Sequence, residues 1–174
     1  MSGPDGGGDQ ASSSAPRRRR RPEPSATQRA IGLLTRREHS RKELLRKLAG
    51  RGVEAGEAEA VVGKLAAAGW QDDARFAESV LRNRSQAGYG PAWIRAELGT
   101  HALREEVIAA VLGNCEIDWQ EVAAMLVRRR FGVEGPVGLE QRRKAMDLLL
   151  RRGFSYDHAQ TALAMGGEED AGGG

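Results

Sequence analysis

Apolar residues recur at spacings of three and four through the middle of the chain, whereas strand-like alternation is missing. This spacing predicts helices, because it places the apolar side chains on one face of a 3.6-residue period. Between Ser25 and Met165 we place nine helical segments, separated by short turns. The first is predicted over Thr27–Arg37 and the third over Glu54–Ala68. The pattern therefore predicts an all-α protein.

Two polar pairs have the spacing of a capping box at the start of a helix. In such a box each side chain binds the backbone amide of the other residue. Ser40 and Glu43 precede the apolar face of the second helix, and Asp118 and Glu121 precede that of the seventh. We expect both pairs to form reciprocal caps.

Single residues mark other helix ends. Asp72 or Asp73 is expected to cap the fourth helix, and capping accounts for both of these carboxylates. Pro91 suits the first turn of the fifth helix, and Ser155 is expected to cap the ninth. Gly52 follows the second helix, where we expect it to take the left-handed conformation.

The helices fall into three groups of three with a period of about 47 to 50 residues. The ends of the three first helices are similar and basic: Leu33-Leu34-Thr35-Arg36-Arg37, Val80-Leu81-Arg82-Asn83-Arg84 and Leu126-Val127-Arg128-Arg129-Arg130. The turn that joins the second and third helices also repeats, at residues 48–53, 98–103 and 149–154. We therefore expect three tandem three-helix repeats that stack on one continuous core and form an elongated, curved body.

The repeats are predicted over residues 25–69, 70–115 and 116–165. Residues 1–24 are rich in glycine, serine and proline and contain the basic run Arg17–Arg21, and residues 166–174 combine glycines with three acidic residues. Neither segment has enough apolar side chains to offset the entropy lost on ordering. We expect both to be disordered tails on a monomer.

The charge composition points to an anionic partner. The net charge is only +3, but 23 of the 27 basic residues are arginine. The planar guanidinium group binds phosphates and carboxylates with two parallel hydrogen bonds, which favours a polyanion or an acidic protein surface as the partner. The alternative is that these arginines cover solvated helix faces.

Residues that could carry catalysis are few and scattered. His39, His101 and His158 lie far apart, without metal-ligand spacing, and we expect ordinary surface or turn roles for them. Cys115 is the single cysteine and fits a small apolar filler. The sequence therefore predicts a protein that is not an enzyme and binds no cofactor or metal. With no possible internal disulfide and no apolar run of membrane-spanning length, we expect it in the cytoplasm.

Basic residues gather around the first inter-helix turn of each repeat. These candidate binding residues for protein or DNA are Arg36, Arg37, Arg41 and Lys42; Arg82, Arg84 and Arg95; and Arg128, Arg129, Arg130, Arg142 and Arg143. Stacked repeats would place them in a row, which suits a nucleic-acid backbone or a nucleoprotein groove.

Aromatic residues near this row have two interpretations. Tyr89 and Trp93 could stack on bases. However, Trp70, Trp93 and Trp119 all lie at or near helix starts, and we favour a role in which they wedge adjacent repeats together.

Four motifs in this order give the chain a likeness to a known family. They are His39-Ser40-x-x-Glu43-Leu44, Gly69-Trp70-x-Asp72-Asp73-x-x-Phe76-Ala77, Gly88-Tyr89-Gly90-Pro91-x-x-Ile94-x-x-Glu97-Leu98 and Ile117-Asp118-Trp119. Over roughly residues 26–164 the chain resembles the bacterial RecX regulatory proteins. The resemblance implies three tandem three-helix repeats, in agreement with the periodicity.

The resemblance also implies a function. RecX proteins bind the RecA recombinase, lie in the groove of its filament on single-stranded DNA, and reduce strand exchange, ATP hydrolysis and the coprotease activity behind the SOS response. We expect only weak binding to single-stranded DNA alone. Two alternatives stay open: a stand-alone nucleic-acid-binding protein that uses a helix-turn-helix, and a passive helical scaffold. The sequence does not separate residues that contact RecA from residues that contact DNA.

Overall fold

The computed structural model describes residues 23–165. The expected tails, including Arg17–Arg21, lie outside these residues, except for Glu23 and Pro24, which contact the Arg29 side chain. Within the described range the chain forms nine α-helices and no strand. They are α1 (Ala26–Leu34), α2 (Arg41–Ala49), α3 (Ala55–Ala67), α4 (Asp73–Gln86), α5 (Pro91–Thr100), α6 (Glu105–Gly113), α7 (Trp119–Phe131), α8 (Gly138–Arg151) and α9 (Tyr156–Met165). The all-α prediction is confirmed.

The nine helices form three units of three, α1–α3, α4–α6 and α7–α9, which we call units 1, 2 and 3. The main helix packings all lie within a unit. Each unit has its own apolar core, centred on a fully buried residue of its second helix: Leu48, Leu98 or Leu149. Burying one such side chain stabilises the fold by about 1.5–3 kcal/mol.

The expected continuous core is therefore wrong. Among the described residues, Trp119 is the side chain that packs against the cores of both unit 2 and unit 3. The reason is that small residues, such as Ala30 and Ala58 in unit 1 and Ala123 and Ala159 in unit 3, let three helices close tightly around the second-helix leucine. Each unit thus buries its apolar face by itself, and contacts between units are left to helix ends and turns.

The helix caps match the sequence in part. Ser25 and Gln28 form a full capping box at α1 that we did not predict. The Ser40 hydroxyl accepts the amide of Glu43 at 3.1 Å, but the Glu43 carboxylate binds Arg37 instead of closing a box. The Asp118 carboxylate caps α7, as expected, whereas its partner Glu121 pairs with Arg128. Both predicted boxes are therefore only half formed, because a cationic side chain takes each glutamate. Ser155 caps α9, as predicted.

Helix α1 ends at Leu34, three residues before the predicted end at Arg37. After the helix the amide of Arg36 donates to the carbonyl oxygen of Leu33, and the carbonyl oxygen of Arg37 lies 2.9 Å from the ring Nδ1 of His39. The third helix, in contrast, lies within one residue of the predicted bounds at both ends.

The turn between the second and third helices has the same backbone in every unit. The fourth residue after the buried leucine has a positive φ: 78° at Gly52, 58° at Ala102 and 85° at Gly153. The left-handed conformation expected for Gly52 is confirmed. Ala102 adopts it without the freedom of glycine, which indicates that its surroundings hold the turn in place.

Candidate functional site

Two junctions hold the units together, and both use the same parts. In each, the start of a second helix contacts the turn between the second and third helices of the next unit. Junction 1 joins the start of α2 to the α5–α6 turn and to Asp73. Junction 2 joins the start of α5 to the α8–α9 turn. The turn between the second and third helices, which repeats in the sequence, is therefore the element through which a unit contacts the preceding one.

Junction 1 is made by polar groups. The Ser40 hydroxyl lies 3.0 Å from Nδ1 of His101, and the Lys42 ammonium donates to the carbonyl oxygen of Thr100 at 2.8 Å. The backbone amide of Arg41 donates to Oδ1 of Asp73 at 2.8 Å. The prediction that Asp72 or Asp73 caps α4 is confirmed for Asp72, whereas Asp73 caps α2, a helix of the preceding unit.

Junction 2 is a contact between backbones. The amide of Gly90 donates to the carbonyl oxygen of Arg152 at 2.7 Å, and the amide of Ala92 donates to that of Gly153 at 3.1 Å. A Cβ atom on Gly90 would overlap the carbonyl group of Gly153, and a Cβ atom on Gly153 would overlap the backbone of Trp93. Glycine is therefore required on both sides of this junction.

Tyr89 and Trp93 stack on each other beside junction 2, with ring centroids 4.0 Å apart. The guanidinium of Arg152 lies 4.5 Å from the Tyr89 centroid, and that of Arg84 lies 5.4 Å from the Trp93 centroid. The Arg84 guanidinium also donates two 2.7 Å hydrogen bonds to the Glu97 carboxylate, which raise the pKa of Arg84. Tyr89 and Arg84, both candidate binding residues, are thus engaged inside the protein.

The three tryptophans take different roles. Trp93 lies at junction 2, and Trp119 bridges the cores of units 2 and 3, as the wedge interpretation predicts. Trp70 is 50% exposed and does not fill a gap between units. For Trp70 the wedge prediction is wrong, because half of its side chain remains exposed to solvent.

A buried charged cluster lies next to junction 1. Glu43 is only 7% exposed, and its carboxylate lies 2.5 Å from Nη2 of Arg37, 3.3 Å from Nζ of Lys47 and 4.0 Å from Nε2 of His39. His39 is 2% exposed, which corrects the expectation of a surface or turn histidine. Its backbone carbonyl also accepts from the Gln71 side chain at 3.3 Å. The cluster ties α2 to the linker that leads into unit 2.

His39 is neutral in this cluster. Its Nδ1 faces a carbonyl oxygen, which can only accept, and its Nε2 faces the Lys47 ammonium at 3.2 Å, which can only donate. The proton therefore sits on Nδ1. Burial lowers the pKa of His39, and the positive charges of Arg37 and Lys47 lower it further. Burial acts against the charged form of Glu43, but hydrogen bonds and charge from Arg37 prevail, so that the pKa of Glu43 is lowered.

The lowered pKa of His39 predicts a pH dependence of stability. The unfolded chain, with a histidine pKa near 6.5, takes up the proton before the folded one does. The contribution of neutral His39 is therefore complete above about pH 6.5 and is lost as the pH falls toward the lower folded pKa. Denaturant unfolding between pH 7.5 and 5 should show this decline, and it should be smaller in His39→Gln. An equal decline in both proteins would contradict the assignment.

About half of the candidate cations are engaged within the protein. The pairs are Arg37 with Glu43, Arg41 with Glu59, Arg84 with Glu97, Arg95 with Glu105 and Arg128 with Glu121, while Lys42 binds the carbonyl oxygen of Thr100. The other six have no ion-pair partner among residues 23–165 and are exposed: Arg36, Arg82, Arg129, Arg130, Arg142 and Arg143. These six are the available cations of the candidate surface. Sequence alone did not separate the two groups, because the acidic partners are up to 18 residues away along the chain.

The available arginines have different surroundings. Arg82 borders an apolar groove of about 750 Å³ between α4 and α6, whose lining includes Leu81, Val107 and Cys115. Cys115 is half-buried there and donates to the carbonyl oxygen of Leu112, in keeping with an apolar filler. Arg129 lies against the turn at Gly88.

Two further features bear on function. No three or more His, Cys, Asp or Glu side chains of the described chain are grouped closely enough to hold a metal ion. None of the helices formed by residues 23–165 has the length and apolar character needed to span a membrane.

Comparison with known proteins gives matches along the whole described chain. Three family models match in order, described as the first, second and third three-helix domains of RecX, over residues 26–65, 72–112 and 116–163. These ranges fall on units 1, 2 and 3 in turn.

Close relatives carry the same family name. The chain is 61% identical over 140 residues to the regulatory protein RecX of Stenotrophomonas maltophilia (strain R551-3), which covers 80% of this chain and 86% of that protein. It is 60% identical over 140 residues to the regulatory protein RecX of Xanthomonas campestris pv. campestris (strain B100), with the same coverage.

Solved structures share the fold. The crystal structure of RecX from Lactobacillus salivarius superposes with a TM-score of 0.65 at 21% identity, covering 80% of this chain and 93% of that one. A second crystal structure, of a regulatory protein RecX, also gives a TM-score of 0.65, at 22% identity, over 79% of this chain and 70% of the other.

Proposed function

Because the chain belongs to the RecX family of regulatory proteins, we propose that it binds the RecA filament on single-stranded DNA and lowers its recombinase, ATPase and coprotease activities. It acts by binding as a monomer, without catalysis. The observation that carries the proposal is the match of all three RecX domains, in order, onto the three helical units.

The geometry suits such a role. Hydrogen bonds at junction 1 and backbone contacts at junction 2 join the three small units to one another. A body of this kind can follow an extended partner and contact it at several points. The six available arginines supply cations on units 1, 2 and 3 for phosphates of the DNA or carboxylates of the recombinase.

Inhibition of DNA-dependent ATP hydrolysis is the test. We expect this protein to lower the rate of ATP hydrolysis by RecA on single-stranded DNA at a molar ratio well below one per recombinase subunit. One bound regulator restrains a stretch of filament rather than one active site. The measurement is a titration of the steady-state rate, with DNA binding by this protein alone followed in parallel.

A second candidate function has support in the six exposed, unpaired arginines, which would also suit a stand-alone nucleic-acid-binding protein. In that case inhibition would appear only once this protein saturates the DNA, and adding DNA would relieve it. Inhibition that persists with excess DNA would instead require contact with the filament itself.

A further inference from the structure

The second helix of unit 3 differs from those of units 1 and 2. Helices α2 and α5 both begin seven residues before their buried leucine, whereas α8 begins eleven residues before Leu149. The difference is one full helical turn. Unit 3 therefore adds one helical turn, residues 138–141, and this turn together with the loop before it forms the segment 132–141. In units 1 and 2 the start of the second helix is covered by the next unit, but no further unit follows unit 3 among the described residues.

This segment exposes apolar side chains. Leu139 is 82% exposed, Val133 73% and Val137 68%, the three highest values among the large exposed hydrophobic residues of the described chain. The segment is nevertheless anchored: Gly135 and Pro136 are buried, and the amide of Val137 donates to the side chain of Gln141 at 3.0 Å. Aliphatic side chains presented on an anchored segment mark an interaction surface rather than a frayed loop.

The flanks of the segment are positive. Arg129 and Arg130 precede it, Arg142 and Arg143 follow it, and all four belong to the available arginines. Of the two acidic residues in the segment, Glu140 is paired with Lys144, which leaves Glu134. The net charge around the exposed aliphatic residues is thus clearly positive.

We propose that residues 132–143 form a docking surface for a protein segment of the recombinase that carries aliphatic anchors flanked by carboxylates. This inference rests on the proposed function and adds to it the part of this chain that contacts protein rather than DNA. Valine and leucine give a protein partner an apolar centre, and the arginines bind its carboxylates with charge-assisted hydrogen bonds.

Other occupants fit this surface less well. Residues 132–143 contain no aromatic side chain, so that the segment offers bases nothing to stack on. A second copy of the chain that paired through the same surface would bring the arginines of this surface and its flanks against their own copies. An acidic protein segment with aliphatic side chains matches both the apolar residues and the charge of the surface.

The test replaces the aliphatic anchors. Val137→Ser/Leu139→Ser should raise the Kd for the recombinase filament on single-stranded DNA about tenfold or more, because the centre of an interface carries most of its binding energy. The double variant should fold as well as the parent, since both side chains are exposed and serine at position 137 supplies the cap that α8 lacks. Binding is measured by interferometry on immobilised filaments, with unfolding curves alongside.

A second variant of the surface, a control variant elsewhere and two control measurements complete the test. Arg142→Glu/Arg143→Glu should also weaken filament binding and reduce its dependence on salt. Met125→Ser, which changes an exposed apolar residue of α7, should bind as the parent does. Affinity for a single-stranded oligonucleotide without recombinase should be unchanged in Val137→Ser/Leu139→Ser, and sedimentation should show monomers for parent and variant alike.

The outcomes are distinguishable. A parent protein that inhibits ATP hydrolysis and a serine variant that binds the filament equally well would overturn the docking surface and leave the proposed function standing. Loss of oligonucleotide affinity in the serine variant would make the segment a DNA contact, and self-association of the parent alone would make it a dimer contact; either result overturns the proposal. A parent that does not bind the filament at all removes the proposed function and this inference together.

Discussion

Replacing Gly90 by alanine is expected to open junction 2 while leaving the individual units folded. The added methyl group would overlap the carbonyl group of Gly153, where backbone lies against backbone and no flexible side chain can move aside. Forced overlap of this kind costs about 1–3 kcal/mol. We expect the midpoint of thermal unfolding to fall by roughly 2–12 °C. In hydrogen exchange, protection should be lost at the amides of Gly90 and Ala92, which bond across the junction.

Gly99→Ala is the matched control, because Gly99 lies in the same helix and a Cβ atom there meets nothing within 4 Å. It should be neutral or stabilise the protein by up to about 1 kcal/mol, since alanine is the better helix former. Gly153→Ala should open the same contact and cost more than Gly90→Ala, because Gly153 also has a positive φ of 85°. The double variant should cost less than the sum of the two, because either change alone opens the contact.

Inhibition of the recombinase filament should depend on an intact junction 2. If the protein binds the filament along several units at once, Gly90→Ala should weaken filament inhibition by about tenfold or more, since the linked contacts no longer engage together. Gly99→Ala should inhibit as the parent does. A Gly90→Ala protein with full protection at Gly90 and Ala92 would show that the junction adapts and would contradict this account.

Local rules were sufficient for the helices and for the repeat. The spacing of apolar residues depends on one helical period, and the left-handed Gly52 follows from the short-range geometry of a helix end. For the same reason the nine helices and the three-unit division could be predicted from sequence. The early end of α1 could not, because residues 35–37 contain no glycine or proline to mark it.

The junctions could not be predicted, because they join residues that are distant in sequence. Asp73 caps a helix 32 residues earlier, and His101 binds Ser40 across 61 residues. The sequence around Gly90 indicates only that this glycine lies in a turn. Nothing near it in the sequence indicates that Gly153 packs against it. A repeated turn in a repeat protein is a sign of such contacts, since units that recur must join in a recurring way.

The candidate surface was predicted at the level of residue type. The sequence shows that basic residues lie near the helix ends, but it does not show that Arg37 is held by a buried glutamate or that Arg84 is held by Glu97. Ion pairing depends on side-chain positions in three dimensions. The residues left for a partner emerge only after the internal pairs are removed.

Units 1 and 2 have different side chains at three equivalent positions before their buried leucines. His39, Glu43 and Lys47 lie nine, five and one residues before Leu48. Tyr89, Trp93 and Glu97 have the same positions before Leu98. In unit 1 these positions hold a buried cluster of charges, and in unit 2 they hold an aromatic stack with a flanking ion pair. In unit 1 a single carboxylate, that of Glu43, neutralises the positive charges of Arg37 and Lys47. A single substitution at this position should therefore lower the stability of unit 1 more than a substitution at an equivalent position lowers that of unit 2.

Glu43→Gln is therefore expected to be strongly destabilising. It leaves Arg37 and Lys47 beside the buried His39 without a counter-charge. Removing one partner of a buried ion pair costs about 3–5 kcal/mol, and because Arg37 is half exposed and can turn toward water, we expect about 2–3 kcal/mol. Denaturant unfolding at pH 7 measures this loss as a lower midpoint with an unchanged slope.

Glu121→Gln is the matched control, because Glu121 has the same spacing from its capping residue and also pairs with an arginine, but it is 45% exposed. It should cost less than about 1 kcal/mol. The pH dependence gives a second check. The pKa of Glu43 is lowered from 4.5, so its contribution is complete above that pH and is lost as the pH falls through the lower folded value. The difference between the parent and Glu43→Gln should therefore shrink below about pH 4. A difference that stays constant into acid would mean that Glu43 stabilises unit 1 by its shape and not by its charge.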